Sequence, residues 1–282
     1  DLKDCHGAKF QLKGVSTHGI AWFPQYVNKD AFQTLRDNYG INTIRLAMYT
    51  NKSEGYGPDA VNKVREGVKY ATELGMYVII DWHILNDGNP NQHKSEAKKF
   101  FTKMSKKYGG QKNVIYEICN EPNGNVTWNK QIKPYAKTIV KTIRKHSKNA
   151  VIVIGTPTWS QDVDVVAQSP LKGKNLMYAL HFYAGTHKEW NQEKLKTAHK
   201  KGLPVMVTEF SICDASGNGA LDKASGNQWL RLLDRYNISY TAWSLCNKNE
   251  SSALIASTCS KTSGWTNGDL SAAGKWYFNK TK

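Results

Sequence analysis

Residues 61–82 read VNKVREGVKYATELGMYVIIDW and contain one helix followed by one strand. From Val61 to Leu74, apolar residues recur at the three- and four-residue spacing of an amphipathic helix, and Gly75 is placed to end it. Residues 76–82 are almost continuously apolar, as expected for a strand that is buried on both faces of a parallel sheet. The stretch therefore predicts one helix–strand unit of an α/β protein.

The same pattern recurs along the whole chain. Helical segments separate most of the apolar runs, which lie about 35 residues apart on average, the size of a βα unit. No linker rich in Pro, Gly or Ser divides the chain. We therefore expect an α/β fold with a single (β/α)8 TIM barrel that forms one domain over residues 1–282. The eight strand candidates are residues 10–15, 43–48, 76–82, 114–119, 151–155, 176–183, 204–210 and 239–245.

A doubly wound open sheet is the structural alternative. Such a sheet usually carries a glycine-rich phosphate loop after its first strand. Here the corresponding residues 14–19 read GVSTHG, which matches neither G-x-G-x-x-G nor G-x-x-x-x-G-K. The sequence favours the closed barrel.

Composition and charge exclude several classes of protein. The 282 residues are 40% hydrophobic, which argues against disorder, and no apolar run approaches the roughly 18 residues of a membrane span. The formal net charge is +16, from 39 Lys and Arg against 23 Asp and Glu, but the basic residues are spread over several predicted helices. We therefore expect solvated helix faces, and neither a nucleic-acid nor a membrane partner.

The five cysteines, Cys5, Cys119, Cys213, Cys246 and Cys259, do not define a metal or redox site. None lies in a C-x-x-C spacing, and their odd number leaves at least one thiol free or paired between chains. A disulfide between Cys246 and Cys259 is one open possibility.

Polar and aromatic residues collect where the predicted strands end. In a parallel barrel these ends meet on one rim, which is where barrel enzymes place their active sites. The groups are His18 and Trp22 near the first run, Arg45 and Tyr49 at the second, Asp81-Trp82-His83 at the third, Asn120-Glu121-Pro122 at the fourth, Trp159 after the fifth, His181-Phe182-Tyr183 at the sixth, Thr208-Glu209-Phe210 at the seventh and Trp243-Ser244 at the eighth.

Two glutamates among these groups, Glu121 and Glu209, lie three strands apart, and strands of one barrel face one another across its mouth. Glu121 and Glu209 could approach to about 5–5.5 Å, the separation found in retaining glycosidases. That chemistry needs one carboxyl group that donates a proton and a second that attacks the anomeric carbon. Isolated rim salt bridges are the alternative, but each Glu lies in an apolar strand-end segment.

The chain resembles glycoside hydrolase family 5, and within it the bacterial endo-β-1,4-glucanase branch. The resemblance extends from about residue 10 to residue 278, with the matching segments in the same order. Each segment is short, and their ordered occurrence makes the resemblance specific. The segments are GVSTHG at 14–19, WFP at 22–24, IRLAMY at 44–49, DWH at 81–83, NEP at 120–122, ALHFY at 179–183, TEF at 208–210 and AWSL at 242–245, followed by Lys248 and Glu250.

The resemblance implies a role for each catalytic residue. Glu209 is expected to be the nucleophile, held by Arg45 and Tyr183. Glu121 is expected to act first as the general acid and then as the general base. Asn120 is expected to hydrogen-bond the 2-hydroxyl of the sugar under attack.

The resemblance also implies the sugar-binding residues. His83 and His181 are placed around the reacting sugar, with His181 near Glu121, and the peptide bond between Trp243 and Ser244 is expected to be cis. Trp82, Trp128, Trp229 and Trp276 are expected to pack in the core, whereas Trp190 and Trp265 stay undecided. The expected substrate-binding residues are His18, Trp22, Tyr49, Trp159, Trp243, Lys248 and Glu250.

The function that the resemblance implies is a secreted, monomeric, retaining endo-β-1,4-glucanase that acts on cellulose and related β-glucans. Alternatives on the same scaffold are a mannanase, a xylanase or a mixed-linkage or xyloglucan hydrolase, and a non-catalytic glycan-binding barrel is an alternative of another class. No cofactor or metal is expected. A zinc site of His83 and His181 lacks any supporting spacing such as H-E-x-x-H.

Overall fold

Eight parallel strands follow one another in chain order around a closed barrel, in which β1 is hydrogen-bonded to both β2 and β8. The computed structural model describes residues 2–4 and 6–282. The arrangement confirms the predicted (β/α)8 TIM barrel. The strands are β1 (Lys13–Thr17), β2 (Thr43–Tyr49), β3 (Tyr77–His83), β4 (Val114–Glu117), β5 (Ile152–Ile154), β6 (Leu176–Tyr183), β7 (Val205–Ser211) and β8 (Tyr240–Leu245).

The helices between the strands begin and end at residues whose chemistry suits those positions. At α1, the Asn28 side chain accepts a hydrogen bond from the Ala31 amide, and Gly40 ends the helix in the left-handed conformation. Pro58 occupies the first position of α2, where no amide hydrogen is needed. The helices are α1 (Lys29–Tyr39), α2 (Pro58–Glu73), α3 (Lys94–Tyr108), α4 (Lys133–Arg144), α5 (Pro157–Ser160), α6 (Val163–Val166), α7 (Glu189–Lys200), α8 (Lys223–Arg235) and α9 (Ala272–Thr281).

Most strand boundaries differ from the predicted ones by one to three residues. The first strand begins at Lys13 and not at residue 10, because Phe10 donates its amide to the Leu2 carbonyl and Leu12 donates to Ser239 Oγ. These residues close the bottom of the barrel. The fourth strand ends at Glu117 and not at residue 119, since the Asn120 amide turns to the Trp82 carbonyl.

The barrel interior is layered along its axis. Successive side chains of a strand point to opposite faces, so every second residue of β3 faces inward. Ile79 belongs to an apolar layer at the bottom, Asp81 to a charged layer above it, and His83 lines the cleft at the top. The apolar layer consists of Leu12, Ile79, Ile115, Val153, Met177, Ala179 and Met206.

Besides the apolar layer inside the barrel, a larger hydrophobic core fills the space between the strands and the helices. Trp82, Trp128, Trp229 and Trp276 are buried there, as predicted, and so is Trp265, which the sequence left undecided. The basic residues of α3 and α4 lie on the outside, where for example Lys98 is exposed. Among the described residues, no helix combines the length and apolar character that a bilayer span requires.

The four described cysteines are buried free thiols. The disulfide considered between Cys246 and Cys259 is therefore absent. Burial raises the pKa of Cys246 to about 11, and its Sγ lies 3.5 Å from Ser244 Oγ. Cys5 lies outside the described residues.

Gly155 provides a test of the packing that places the fourth strand end. A Cβ atom there would lie 2.1 Å from the Cys119 carbonyl oxygen and 3.1 Å from that of Asn120. We expect Gly155→Ala to lower the free energy of unfolding by about 1–3 kcal/mol, as overpacking does. Urea denaturation followed by fluorescence measures the loss. Gly110→Ala is the matched control, because nothing lies within 4 Å of its Cβ position, and equal stability of the two variants would contradict the packing argument.

Candidate active site

An open cleft of about 990 Å³ lies over the carboxyl ends of the strands. Twelve of the fourteen predicted site residues line it, and the two exceptions, Arg45 and Asn120, lie fully buried beneath its floor. The structure therefore brings the predicted site together in one place. The twelve residues are His18, Trp22, Tyr49, His83, Glu121, Trp159, His181, Tyr183, Glu209, Trp243, Lys248 and Glu250.

Arg45 is the cation around which the floor of the cleft is built. Its Nε donates to Glu117 Oε2 at 2.8 Å and its Nη1 to Glu209 Oε2 at 2.9 Å. Its Nη2 lies 3.0 Å from Asp81 Oδ2 and donates to Asn120 Oδ1 at 2.6 Å. One guanidinium thus faces three buried carboxylates, and its planar set of donors can satisfy all of them at once.

Glu209 is held as an ionised carboxylate. Besides the bond from Arg45, its Oε1 accepts a hydrogen bond from the Tyr183 hydroxyl at 2.7 Å. Burial by itself would raise the pKa of Glu209, but the positive charge of Arg45 and smaller contributions from His181, His83 and the Tyr183 hydrogen bond together outweigh burial and hold that pKa below its usual value. A fixed, charged carboxylate is what a nucleophile requires.

Glu121 has the opposite environment. Burial raises the pKa of Glu121, the negative charge of Glu209 raises it further, and His181 opposes both. A carboxyl group with a raised pKa can keep a proton at neutral pH and donate it. The pKa values of the two candidate catalytic carboxyl groups are therefore shifted in opposite directions, and only Glu209 contacts Arg45.

His181 connects Glu121 to the charged layer of the barrel. Its Nε2 donates to Thr208 Oγ1 at 2.8 Å, because that hydroxyl in turn donates to Glu117 Oε1 at 2.8 Å. Its Nδ1 lies 2.9 Å from Glu121 Oε1. Burial would lower the pKa of His181, but the neighbouring carboxylates of Glu117, 3.7 Å from Nε2, and of Glu121 raise it to about 9. The ring is thus fixed in orientation beside Glu121.

The carboxylate groups of Glu121 and Glu209 lie close together. An oxygen of each and a ring nitrogen of His181 all lie within 4.8 Å of one another. This approach agrees with the roughly 5–5.5 Å spacing of retaining glycosidases and is shorter than the roughly 6.5–9.5 Å of inverting ones. Among the described residues, these three form the one group of ligand-type side chains close enough for a metal ion. His83, which entered the zinc alternative, is not part of it.

Asn120 and His83 form a second buried arrangement beneath the reacting position. Asn120 Nδ2 donates to the Ile84 carbonyl at 3.0 Å and lies 3.3 Å from His83 Nε2, while His83 Nδ1 lies 2.6 Å from Asp81 Oδ2. The bond predicted between Asn120 and a sugar hydroxyl stays a prediction, since the side chain is fully buried.

One end of the cleft carries several aromatic rings and a charged pair. The rings of Trp22 and Tyr49 meet edge to face at 4.6 Å, and Trp243 stacks on His83 at 5.4 Å. The peptide bond between Trp243 and Ser244 is cis, as predicted. Lys248 Nζ lies 2.7 Å from Glu250 Oε2, and burial lowers the pKa of the neighbouring His18 to about 3, so that His18 is neutral. Aromatic faces and polar groups of this kind suit a sugar ring.

The other end is formed by the loops after β5 and β6. Trp159 is 46% exposed, although most tryptophans are buried. It lies in a turn in which Thr158, Trp159 and Ser160 all have positive φ, between 53° and 57°. Strained backbone of this kind in non-glycine residues is common at functional sites. Here the turn leaves the Trp159 ring exposed to solvent. The Trp159 amide donates to the Pro122 carbonyl at 3.0 Å, which ties the turn to the residue after Glu121.

Sequence reasoning missed three residues that complete the site. Glu117 is the bidentate partner of Arg45, and Arg45 together with His181 lowers its pKa to about 2 in spite of burial. A glutamate inside the apolar run 114–119 was the available signal. His187 and Gln161, which sequence reasoning did not include among the site residues, both line the cleft. His187 accepts the Tyr183 amide at Nδ1 at 2.7 Å, and burial lowers its pKa to about 4.

The protein-family model for cellulase (glycosyl hydrolase family 5) matches residues 4–249 of this chain. An endoglucanase from Clostridium saccharobutylicum is 49% identical over 276 residues, which are 97% of this chain and 61% of that protein. Endoglucanase N from Pectobacterium atrosepticum is 48% identical over 277 residues, 98% of this chain and 62% of that protein. The chain thus spans about three fifths of the length of these relatives.

Solved structures agree with this relationship. The catalytic domain of the Thermobifida fusca endoglucanase Cel5A in complex with cellotetraose superposes with a TM-score of 0.93 at 34% identity, covering 99% of this chain and 93% of that one. The family model matches most of the chain, and the barrel and its paired carboxylates agree with the resemblance seen in the sequence. The chain belongs to glycosyl hydrolase family 5.

Proposed function

We propose that the chain is a retaining endo-β-1,4-glucanase that cleaves internal bonds of cellulose and related β-glucans. The observation that carries the proposal is the pair Glu121 and Glu209, within 4.8 Å and with pKa values shifted in opposite directions. The endoglucanase names of the two relatives support the choice of β-1,4-glucan, as does the cellotetraose bound to the Thermobifida fusca enzyme. A polymeric glucan is too large to enter a cell, and this substrate therefore also supports a secreted enzyme.

In the first step, a Glu209 oxygen attacks the anomeric carbon while Glu121 donates its proton to the glycosidic oxygen. The bond between that carbon and oxygen breaks, the leaving chain departs as an alcohol, and a glycosyl ester forms on Glu209. Arg45 and Tyr183 orient the attacking carboxylate, since each holds one of its oxygens. The loss of conformational entropy that orients the attacking carboxylate therefore occurs during folding and not during the reaction.

In the second step, water attacks the same carbon and Glu121 takes its proton. Ester formation removes the negative charge of Glu209, which is one of the two causes that raise the pKa of Glu121. The pKa of Glu121 therefore falls once the ester has formed, and the same side chain becomes a base. Two inversions at one carbon give a product with the original β configuration.

The open cleft favours internal cleavage. Aromatic surfaces lie at both ends, with Trp22 and Tyr49 at one and Trp159 at the other, so that sugar residues on both sides of the scissile bond have partners. Glu121 lies beside the Trp159 turn, and the acid protonates the leaving chain. We therefore assign the Trp159 end to the leaving-group side and the end with Lys248 and Glu250 to the side that stays bound to the enzyme.

The substrate is tested by measuring reducing sugar released from carboxymethyl-cellulose, mixed-linkage glucan, xylan and mannan. We expect release from the first two at rates well above those on xylan and mannan. Proton NMR of fresh cello-oligosaccharide digests should show the β anomer first. A preference for mannan or xylan would support the corresponding hydrolase, initial α anomer would exclude retention, and no hydrolysis would favour a glycan-binding barrel.

Replacement of the nucleophile tests the role of Glu209. We expect Glu209→Gly to lower kcat on carboxymethyl-cellulose by more than about 10³-fold, the scale seen when a covalent catalytic group is removed. Arg45 keeps Glu117 and Asp81 as partners, so that the variant should still fold, which circular dichroism can verify. Glu193→Gln, a carboxylate outside the cleft that pairs with Lys196, is the control and should be fully active. Substantial activity of Glu209→Gly without an added nucleophile such as azide would exclude the role.

The electrostatic coupling of the two carboxyl groups can be measured directly. Because the charge of Glu209 raises the pKa of Glu121, we expect Glu209→Gln to shift the titration of Glu121 to lower pH. Carbon NMR of protein labelled at the glutamate side-chain carboxyl follows this titration, with Glu121→Gln to assign the signal and Glu193→Gln as the control. The alkaline limb of the wild-type activity profile should coincide with the loss of the Glu121 proton. An unchanged or raised pKa of Glu121 in Glu209→Gln would contradict the proposed exchange of roles.

A further inference from the structure

Three of the nine tryptophans are exposed, and only two of them belong to the site described above. Trp22 and Trp159 are 47% and 46% exposed and line the cleft, whereas the other six are buried. Trp190, at the start of α7, is the most exposed of all at 51%. A large aromatic residue that leaves half of its surface in contact with solvent calls for an explanation, especially next to a candidate sugar-binding cleft.

Trp190 directly adjoins the wall of the cleft on the leaving-group side. Its ring meets the edge of the His187 ring at a centroid distance of 5.7 Å. The next residue, Asn191, donates from Nδ2 to Gln161 Oε1 at 3.2 Å. His187 and Gln161 both line the cleft. The tryptophan therefore stands where the wall built by these two residues ends.

The ring is also held in place by a chain of polar contacts that leads to the Trp159 turn. Lys194 Nζ lies 5.1 Å from the ring centroid of Trp190, at the distance of a cation–π contact, and forms an ion pair with Asp162 Oδ1 at 2.7 Å. Asp162 accepts a second hydrogen bond, at 2.6 Å, from the Thr158 hydroxyl. The two exposed rings on this side, Trp159 and Trp190, thus belong to one connected surface.

We propose that Trp190 forms a distal binding site for a glucose residue of the leaving chain, beyond the residue that contacts Trp159. This inference rests on the proposed function. The equatorial hydroxyls of β-1,4-linked glucose leave two apolar faces of C–H groups, and a flat, exposed indole can cover one of them. The ammonium group of Lys194 borders the same ring and can donate to the sugar hydroxyls at its rim.

A distal contact of this kind acts only on substrates that are long enough to reach it. It stabilises both the bound substrate and the transition state of the first step, in which the leaving chain is still attached. The second step proceeds after that chain has left and does not depend on Trp190. A purely structural role would instead affect substrates of every length in the same proportion.

The test compares kcat/KM of the wild type and Trp190→Ala on cellohexaose and on an aryl cellobioside, whose leaving group is too short to reach Trp190. We expect Trp190→Ala to lower kcat/KM on cellohexaose by about three- to tenfold, the effect of one aromatic contact, and to leave the aryl cellobioside unchanged. Trp190→Phe should retain most of the activity on cellohexaose. Val165→Ala removes an equally exposed apolar side chain from neighbouring α6 and is the matched control.

A binding measurement separates this inference from the proposed function. Calorimetry with cellohexaose in a Glu209→Gln background should show affinity reduced about three- to tenfold by Trp190→Ala. If the wild type cleaves glucan and Trp190→Ala changes neither the affinity for cellohexaose nor the dependence of kcat/KM on substrate length, the proposed distal site is wrong and the proposed activity is supported. If the wild type cleaves no glucan but Trp190→Ala weakens the binding of cellohexaose, the proposed activity is wrong and a glucan-binding site at Trp190 is supported. An equal decrease of kcat/KM on cellohexaose and on the aryl cellobioside would indicate a structural role for Trp190 and contradict the distal site.

Discussion

The arrangement of the active site depends on one buried cation. Arg45 is fully buried, and Asp81, Glu117 and Glu209 surround its guanidinium. A buried charge is tolerated only when it is paired and hydrogen-bonded, so that these carboxylates and the arginine require one another. Beneath them the apolar layer around Ile79 and Ile115 fills the barrel and limits access of water from below. Glu209, the proposed nucleophile, is thus part of the charged core and not an addition to it.

This arrangement also shifts the pKa values of Glu121 and Glu209 in opposite directions. Arg45 reaches Glu209 but makes no hydrogen bond or ion pair with Glu121, whose side chain is oriented by His181. Two neighbouring carboxylates in a buried site disfavour each other's ionisation, and the arginine decides the outcome in favour of Glu209. His181 is itself bonded through Thr208 to Glu117, the second partner of Arg45. The proposed acid, Glu121, and the proposed nucleophile, Glu209, are therefore positioned by one continuous network of hydrogen bonds and ion pairs.

The parts of the molecule that repeat along the chain could be predicted from sequence, and so could the residues at strand ends. Alternating strand and helix patterns predicted the barrel, and Glu121 and Glu209 could be selected because each lies close to the end of an apolar run. Glu117 was missed because its partner, Arg45, lies two strands away and only the closed barrel brings them together. The relation of Trp190 to the cleft could not be predicted, since His187, which its ring contacts, and Gln161, which the next residue Asn191 contacts, lie on two separate loops with no periodic pattern.

The loops on the leaving-group side are nevertheless tied to the catalytic strand. The Ser160 hydroxyl donates to the Asn120 carbonyl at 2.6 Å, and the Trp159 amide donates to the Pro122 carbonyl. Both bonds flank Glu121 in sequence, so that the left-handed turn is held against the backbone that carries the acid. Residues in that conformation persist only where surrounding contacts determine them. In the proposed mechanism, a sugar stacked on Trp159 is thereby placed relative to the proton that Glu121 donates, so that binding of the leaving chain affects the geometry of bond cleavage.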